Sequence, residues 1–509
     1  MTETKFRRRT LLKAGAAGAA AGTAQLATAR SALATTSTPE PVDVLIIGPG
    51  YAGAVAALRL AQAGIRSVVL ERGRRWPITP AGNTFATQTN LDGRAAWLST
   101  TTPFTNQTID PFTGVLEAFP GNGVVCLAGA GVGGGSLVNN AVMMTPRRDF
   151  FGRSFGTTLD YDEMVQTWYP RARTLIGPEP IPADVLSSAA YGNARQFATE
   201  STRGRLSVVH PDLAVDWNIV RNEIAGTAVR SAILGQSIFG TNSGAKRSVD
   251  RSILATAEAT GLVEVLPLHV VLDLTAATGG GYLVEAQQIN ENGTVLSRPQ
   301  FAARYVVLAA GSLGTSHLLT RAKGRGTLPQ LNDQVGKSWG SGGDHIVIRA
   351  GLPLVDPAQG GPANLVATDW DNPLGPVTLL NFPLGVPQLA GIAREMLAVT
   401  SPPPAGSFSY SAATGKVTLD WPATAPAVAA TTAAVKSTAA TVRRANPLLG
   451  LSVVTPLLTS HSLGGCVHVI KTAARRWSSV PASCSGEGSA GHPIRSAGVD
   501  HPTTRSDFR

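Results

Sequence analysis

Between Val42 and Glu71 the pattern of apolar positions changes period twice. Val42–Ile47 is a short apolar run with β-branched residues and predicts a buried strand. Ala54–Ala63 is rich in Ala and Leu and predicts a helix, which Gly64 stops. Ser67–Leu70 predicts the next strand, with Glu71 at its end. Further on, Val263–Leu274 alternates as strands do. Tyr305–Ala310 is a second apolar strand, and Gly311-Ser-Leu-Gly314 opens a second helix. Phe408–Trp421 alternates about a turn at Ala413-Thr-Gly415 and predicts a hairpin. Residues 72–120 hold no long periodic run, only aromatic residues among turn formers, and predict a surface excursion. No stretch after the N-terminus reaches about 18 apolar residues, so no membrane span is expected.

The turn inside the first unit carries chemistry. Gly48-Pro-Gly50-Tyr51-Ala52-Gly53 lies between strand and helix. The first glycine makes the tight turn, the second lets backbone approach a pyrophosphate, and the third lets the helix pack closely on the sheet. The helix N-terminus offers unpaired N–H groups to phosphate oxygens. Glu71 follows Gly48 by 23 residues, where a carboxylate accepts from a ribose 2′-hydroxyl and disfavours a 2′-phosphate. Strand, turn, helix, strand and acid in register predict a dinucleotide site. With the Tyr305–Gly314 unit they give an α/β fold with a doubly wound, Rossmann-like sheet.

At 509 residues the chain exceeds one ordinary domain, and two interlocked domains are expected. Its net charge of +10 is unevenly spread. Lys5, Arg7, Arg8, Arg9, Lys13 and Arg30 against Glu3 give the first 34 residues +5. Lys471, Arg475, Arg476, Arg495, Arg505 and Arg509 against Glu487, Asp500 and Asp507 give the last 43 residues +3. The body is nearly neutral, which argues against a nucleic-acid partner. Residues 1–34 look like a targeting segment. Arg7-Arg8-Arg9-Thr-Leu-Leu-Lys13 precedes a modest Ala/Gly stretch and a small-residue cleavage position at Ala32-Leu-Ala34, resembling a twin-arginine signal, so a secreted protein is expected. Cys126, Cys466 and Cys484 match no zinc spacing, and three cannot pair completely, so neither a metal nor a disulfide framework is expected.

Gly121–Met144 is the second marked stretch. Seven of the fifteen residues from 121 to 135 are glycine, a backbone-entropy cost that close contact with a flat ligand would offset. GAGVGGGSLVNNA followed by MMTPRRDF resembles the cholesterol oxidase branch of the glucose-methanol-choline (GMC) oxidoreductases. That resemblance implies FAD, an FAD domain built from separated pieces of chain, and a substrate domain on a mostly antiparallel sheet. It assigns residues 42–155 and 261–330 to the FAD domain, and 156–260 (mostly) and 331–455 to the substrate domain. It places Gly134, Gly135, Ser136 and Asn139 beside the isoalloxazine, Val271 on the adenine side and Gly311 near the pyrophosphate. Tyr51 and Ala52 match residues of the nucleotide turn. Gly244–Ile253 and Trp339–His345 resemble further segments of the family. His269 reads as a packing residue of its strand.

In His461-Ser-Leu-Gly-Gly-Cys466, within the FAD-site segment 456–466, His461 matches the family histidine that binds or deprotonates the substrate hydroxyl. An imidazole, with a pKa of about 6.5, can do either at neutral pH. The implied reaction is oxidation of a sterol 3β-hydroxyl with O₂ as acceptor, yielding H₂O₂. The alternatives are another apolar alcohol as substrate, or a flavin- or sterol-binding remnant without activity. Transient membrane contact would deliver a sterol; nothing in the chain sets an oligomeric state. Two departures stand out. The family's isomerising glutamate falls at Leu380, which has no proton to exchange, and no replacement acid is evident along the chain. From residue 467 to 509 the text is rich in Arg, Ser, Gly, His and Pro, without periodicity, and resembles a GC-rich gene read in the wrong frame.

Overall fold

The computed structural model describes residues 39–384, 389–454 and 458–466. The export signal expected in residues 1–34 and the atypical tail 467–509 lie outside the described residues.

The first strand, β1 (Glu40–Ile47), is buried on both faces, which explains its nearly continuous apolar run. Val44 and Ile46 pack into one cluster, Leu45 and Ile47 into another. Each fully buried Leu or Ile here contributes roughly 1.5–3 kcal/mol of transfer free energy. Helix α1 (Tyr51–Gln62) starts three residues earlier than the Ala/Leu pattern predicts, because Gly50 already serves as its N-cap. It buries Gly53, Ala54, Ala57, Leu58 and Ala61, a helix-period stripe of small side chains that brings its axis close to the sheet. β2 (Ser67–Leu70) lies parallel to β1.

The chain returns to this sheet much later, through β3 (Val263–Leu266), β4 (His269–Ala276), β5 (Tyr282–Ile289) and β6 (Gln300–Leu308). The strand order is β3-β2-β1-β6-β5-β4, and a short strand, Val295–Ser297, pairs with β5 to make seven. β1, β2, β3 and β6 are parallel, whereas β4 and β5 join antiparallel. Helix α2 (Gly311–Arg325) follows β6.

The second sheet is antiparallel throughout. Its order is β11 (Leu449–Val454), β7 (His345–Gly351), β10 (Ala393–Val399), β9 (Val377–Phe382), β8 (Val366–Asp369) and the edge strand Ser207–Val209. Side chains alternate between its two faces. The outer face, with Val347, Ala367, Leu379, Met396 and Ala398, is closed by helix α3 (Pro426–Ala445) through Ala434, Val435, Ala439 and Val442. Arg349 also lies on this side, in a buried ion pair with Glu200. The inner face carries Ile346, Val366, Leu380, Phe382, Leu397 and Val399, and meets Val142 and Met144 from the end of the glycine-rich stretch.

Residues 72–120 are more than a surface excursion. Trp76 and Phe85 are each 3% exposed and stack with ring centroids 5.2 Å apart, over Leu116, Leu127, Leu137 and Phe239. The segment builds its own small core from irregular backbone, so no period announces it.

Candidate functional site

The two glycine-rich turns meet. A Cβ on Gly134 would lie 2.9 Å from the Cα of Gly50, so the contact between them is made by bare backbone. Gly53 packs tighter still, since a Cβ there would fall 1.9 Å from the carbonyl oxygen of Gly48. Three other glycines face open space. A Cβ on Gly50, Gly135 or Gly311 would meet no protein atom within 4 Å, and Gly135 and Gly311 are exposed. These are positions where bare backbone can face a ligand. Gly50 caps α1 without a side chain, and Tyr51 and exposed Ala52 form the helix's first turn, so its N–H groups point into the groove as an anion site.

Glu71 does two jobs. Its Oε1 accepts from the backbone N–H of Gly73 at 2.7 Å and of Gly131 at 3.0 Å, tying the second glycine stretch to the end of β2. Among the described residues Oε2 makes no such bond, so it is the oxygen that could accept from a ribose hydroxyl. Burial pushes the carboxyl up to about 7, against the pull of Arg72 and the two N–H donors. β4 joins the same corner, the His269 N–H donating to the Glu71 carbonyl at 2.8 Å. Val271 sits two residues further along β4, half-buried against the cluster beneath the sheet, while His269 packs edge-on against Phe301.

Two side chains expected at the cofactor are committed to protein partners. Ser136 is fully buried; its hydroxyl donates to the Gly133 carbonyl at 2.7 Å and accepts from Val249 N–H at 3.0 Å. Asn139 donates through Nδ2 to the Tyr51 hydroxyl at 2.8 Å, and its Oδ1 accepts from Ala141 N–H at 3.2 Å. Both brace the turn. A third brace escaped the sequence reading. Lys246 reaches inward, and its Nζ donates to the carbonyls of Leu137 (2.8 Å), Asn139 (2.6 Å) and Ser237 (3.2 Å). Burial, with Arg251 nearby, pulls the Lys246 amine down to about 7, and in its charged form all three protons are placed on the backbone that shapes this turn.

His461 is held by a residue that sequence reasoning left without a role. Its Nδ1 donates to Asp344 Oδ1 at 2.6 Å. Asp344 is 5% exposed, and its Oδ2 accepts from Ser460 N–H at 2.7 Å and the Ser460 hydroxyl at 3.1 Å. Burial pulls the imidazole pKa down, but the hydrogen bond and charge of Asp344 outweigh it and hold His461 above its ordinary value. The bond at Nδ1 fixes the tautomer and leaves Nε2 without a protein hydrogen bond among the described residues, on a side chain 47% exposed. The segment is anchored to the cofactor domain where the Ser312 hydroxyl of α2 donates to the Gly464 carbonyl at 3.0 Å.

Leu380 lies on the inner sheet face, paired with Val366 and Leu397. Its neighbour Asn381 points to the opposite face and donates to Asn364 Oδ1 at 3.0 Å. Neither is an acid, as the sequence indicated. The structure does place a carboxyl on the inner face: Glu395 of β10, cross-strand from Phe382.

Residues 41–90 match the family model described as FAD binding domain. The chain is 30% identical over 333 residues to a protein of Mycobacterium tuberculosis named cholesterol oxidase, covering 61% of this chain and 53% of the relative. It is 26% identical over 319 residues to the cholesterol oxidase of Acinetobacter baumannii, covering 58% and 53%. It is also 27% identical over 296 residues to an uncharacterized GMC-type oxidoreductase of M. tuberculosis, covering 57% and 40%. The chain spans about half the length of the curated relatives named cholesterol oxidase. Among solved structures, pyridoxine 4-oxidase from Mesorbium loti superposes with a TM-score of 0.54 at 16% identity, over 80% of this chain and 82% of that one. A fungal aryl-alcohol oxidase superposes at 0.53 and 14%, over 82% and 85%. Fold and glycine-rich turns together define an FAD-binding architecture. The chain is similar to proteins named cholesterol oxidase and to a GMC-type oxidoreductase, and its cofactor is FAD. The open-faced glycines, the uncapped helix and the free Oε2 of Glu71 fit that group.

Proposed function

We propose that this protein oxidises the hydroxyl of an apolar secondary alcohol to a ketone, with a sterol 3β-hydroxyl as the first substrate to test. One observation carries the reading: the Asp344–His461 pair holds an imidazole in one tautomer, with Nε2 left without a protein partner among the described residues. Bound FAD supplies the hydride acceptor, and O₂ in turn takes up two electrons and two protons as H₂O₂. His461 Nε2 accepts the hydroxyl proton as hydride leaves the carbinol carbon, and Asp344 stabilises the imidazolium that results. Leu380, Leu397 and Ile346 form an apolar wall against which a hydrocarbon ring system loses its water. With Leu380 in that wall, movement of a ring double bond is not part of the expected activity. Export through the twin-arginine route and brief contact with a membrane to collect substrate complete the proposal. Among the described residues no helix is long and apolar enough to cross a membrane.

The test is anaerobic addition of cholesterol, and separately of small alcohols, to FAD-loaded protein while the flavin absorption is followed. Bleaching by cholesterol and not by small alcohols is expected. Bleaching by another apolar alcohol alone would move the substrate within the class. A fully loaded flavin that no alcohol bleaches would leave only a binding remnant.

The Asp344–His461 pair makes its own prediction. His461 must be neutral to accept a proton, so flavin reduction should fall as pH drops through its raised pKa. Asp344→Asn removes the charge that raises it. The acid limb is then expected to move to lower pH, while the rate at optimum drops about tenfold or more as the tautomer is released. An acid limb that stays in place would separate it from His461.

A further inference from the structure

Arg349 and Arg394 are fully buried, and both fall on the outer face of the second sheet by strand alternation. Arg349 is paired there with Glu200, and Arg394 donates to the Pro353 carbonyl. Glu395, next in the chain to Arg394, points the other way. On β10 it shares the inner face with Leu397 and Val399, and its cross-strand neighbours are Ile348 on β7 and Phe382 on β9. Among the described residues it makes no hydrogen bond and no ion pair. No charged group bears on it, and burial alone pushes its carboxyl up to about 8. A carboxyl without a partner on an otherwise apolar wall is costly unless something else supplies the partner. On the proposed function this face is the substrate side, and the missing partner is then a polar atom of the substrate.

The strand register says where. Asp344 immediately precedes β7 and holds His461 at that end of the sheet. Ile348, which faces Glu395, is four residues further on, roughly 13 Å along the strand. That span is the length of a fused ring system, not the reach between a carbinol carbon and its neighbour. We propose that Glu395 is a second recognition point, a neutral carboxyl that donates a hydrogen bond to an oxygen at the far end of a ring-shaped alcohol whose near-end hydroxyl meets His461. The substrate class is then a hydroxysteroid with a distal oxygen rather than a sterol with a hydrocarbon tail alone. This deepens the proposed function and rests on it for the choice of probe.

The experiment compares dehydroepiandrosterone, with 3β-hydroxyl and 17-keto oxygens at opposite ends, with its 17-deoxy analogue. Binding is read anaerobically from the perturbation of the bound flavin's absorption, with flavin reduction followed in the same cuvette. The keto steroid is expected to bind about five- to tenfold more tightly, the worth of one hydrogen bond. Glu395→Leu should erase that preference, and Glu395→Gln, which still donates, should keep it. In the unsubstituted protein the preference should fade as pH rises through about 8, where the carboxyl ionises, and in Glu395→Gln it should not. This pH arm tests the proposal even if a variant fails to fold. An equal or reversed preference in the unsubstituted protein, a preference that survives Glu395→Leu, or one that is flat with pH overturns it. Binding with the expected preference but no flavin reduction counts against the proposed function and leaves the recognition point standing. Binding of neither steroid overturns both.

Discussion

Replacing His461 with Ala is expected to leave FAD in place and to slow flavin reduction by about 10²–10⁴-fold, the range in which a positioned acid–base group contributes. This corresponds to about 3–5 kcal/mol of transition-state stabilisation. The two halves of the expectation have separate causes. His461 is half exposed, and its side chain bonds only Asp344, so its loss opens no cavity in the core. The groove that holds the cofactor is braced elsewhere, by Lys246, Glu71 and Asn139. Only the proton acceptor disappears. Anaerobic stopped-flow reduction, beside the flavin-to-protein ratio of the same preparation, measures both. A rate within about threefold of the unsubstituted protein would remove His461 from the chemistry. His461→Gln is a useful companion, because a side-chain amide can orient a hydroxyl but cannot take its proton. If Gln restores binding and not rate, the imidazole acts as a base rather than only as a hydrogen-bond partner.

How much of this was legible in the chain follows from how local each signal is. β1, α1 and β2 were readable because thirty consecutive residues encode them, and the glycines and Glu71 lie at spacings set by one turn of backbone. Their meeting with Gly134 was not, because nothing local says that residues 84 positions apart share a surface of bare backbone. Ser136 and Asn139 show the converse: the turn that carries them stands out in the sequence, but their hydrogen bonds to Gly133, Val249 and Tyr51 appear only in the fold. Asp344 was visible as part of a glycine turn and gained a role only when residue 461 folded onto it, 117 positions later. Glu395 was hidden most deeply. An acid between Arg394 and Met396 reads as one more polar position, and its face is set by antiparallel register with β7 and β9. Trp76 and Phe85 were misread as surface for a related reason, since irregular backbone has no period to betray a core.

The nucleotide turn offers a second large effect, and it separates folding from cofactor binding within four residues. Gly53→Ala is expected to destabilise the protein by ~3 kcal/mol, at the upper end of ordinary overpacking. The new Cβ would stand 1.9 Å from the Gly48 carbonyl oxygen and 3.3 Å from the Ala309 side chain, and the first of these is backbone that cannot swing aside. The strand-to-helix turn must open, pulling Gly48 away from β2, where its N–H bonds the Leu70 carbonyl. Gly50→Ala makes the opposite demand. Its Cβ meets no protein atom within 4 Å, and its φ of −71° suits any L-residue, so the apoprotein should unfold at an unchanged temperature. The methyl instead occupies the space through which the backbone approaches the pyrophosphate. FAD affinity is therefore expected to fall about tenfold or more, about 1.4 kcal/mol per decade. Thermal unfolding of both variants with FAD removed, followed by titration with FAD, distinguishes them: Gly53→Ala should show its loss in the first measurement, Gly50→Ala only in the second. Equal unfolding temperatures for the two apoproteins would mean the turn has slack that the 1.9 Å approach denies. An undiminished FAD affinity in Gly50→Ala would move the pyrophosphate away from the N-terminus of α1.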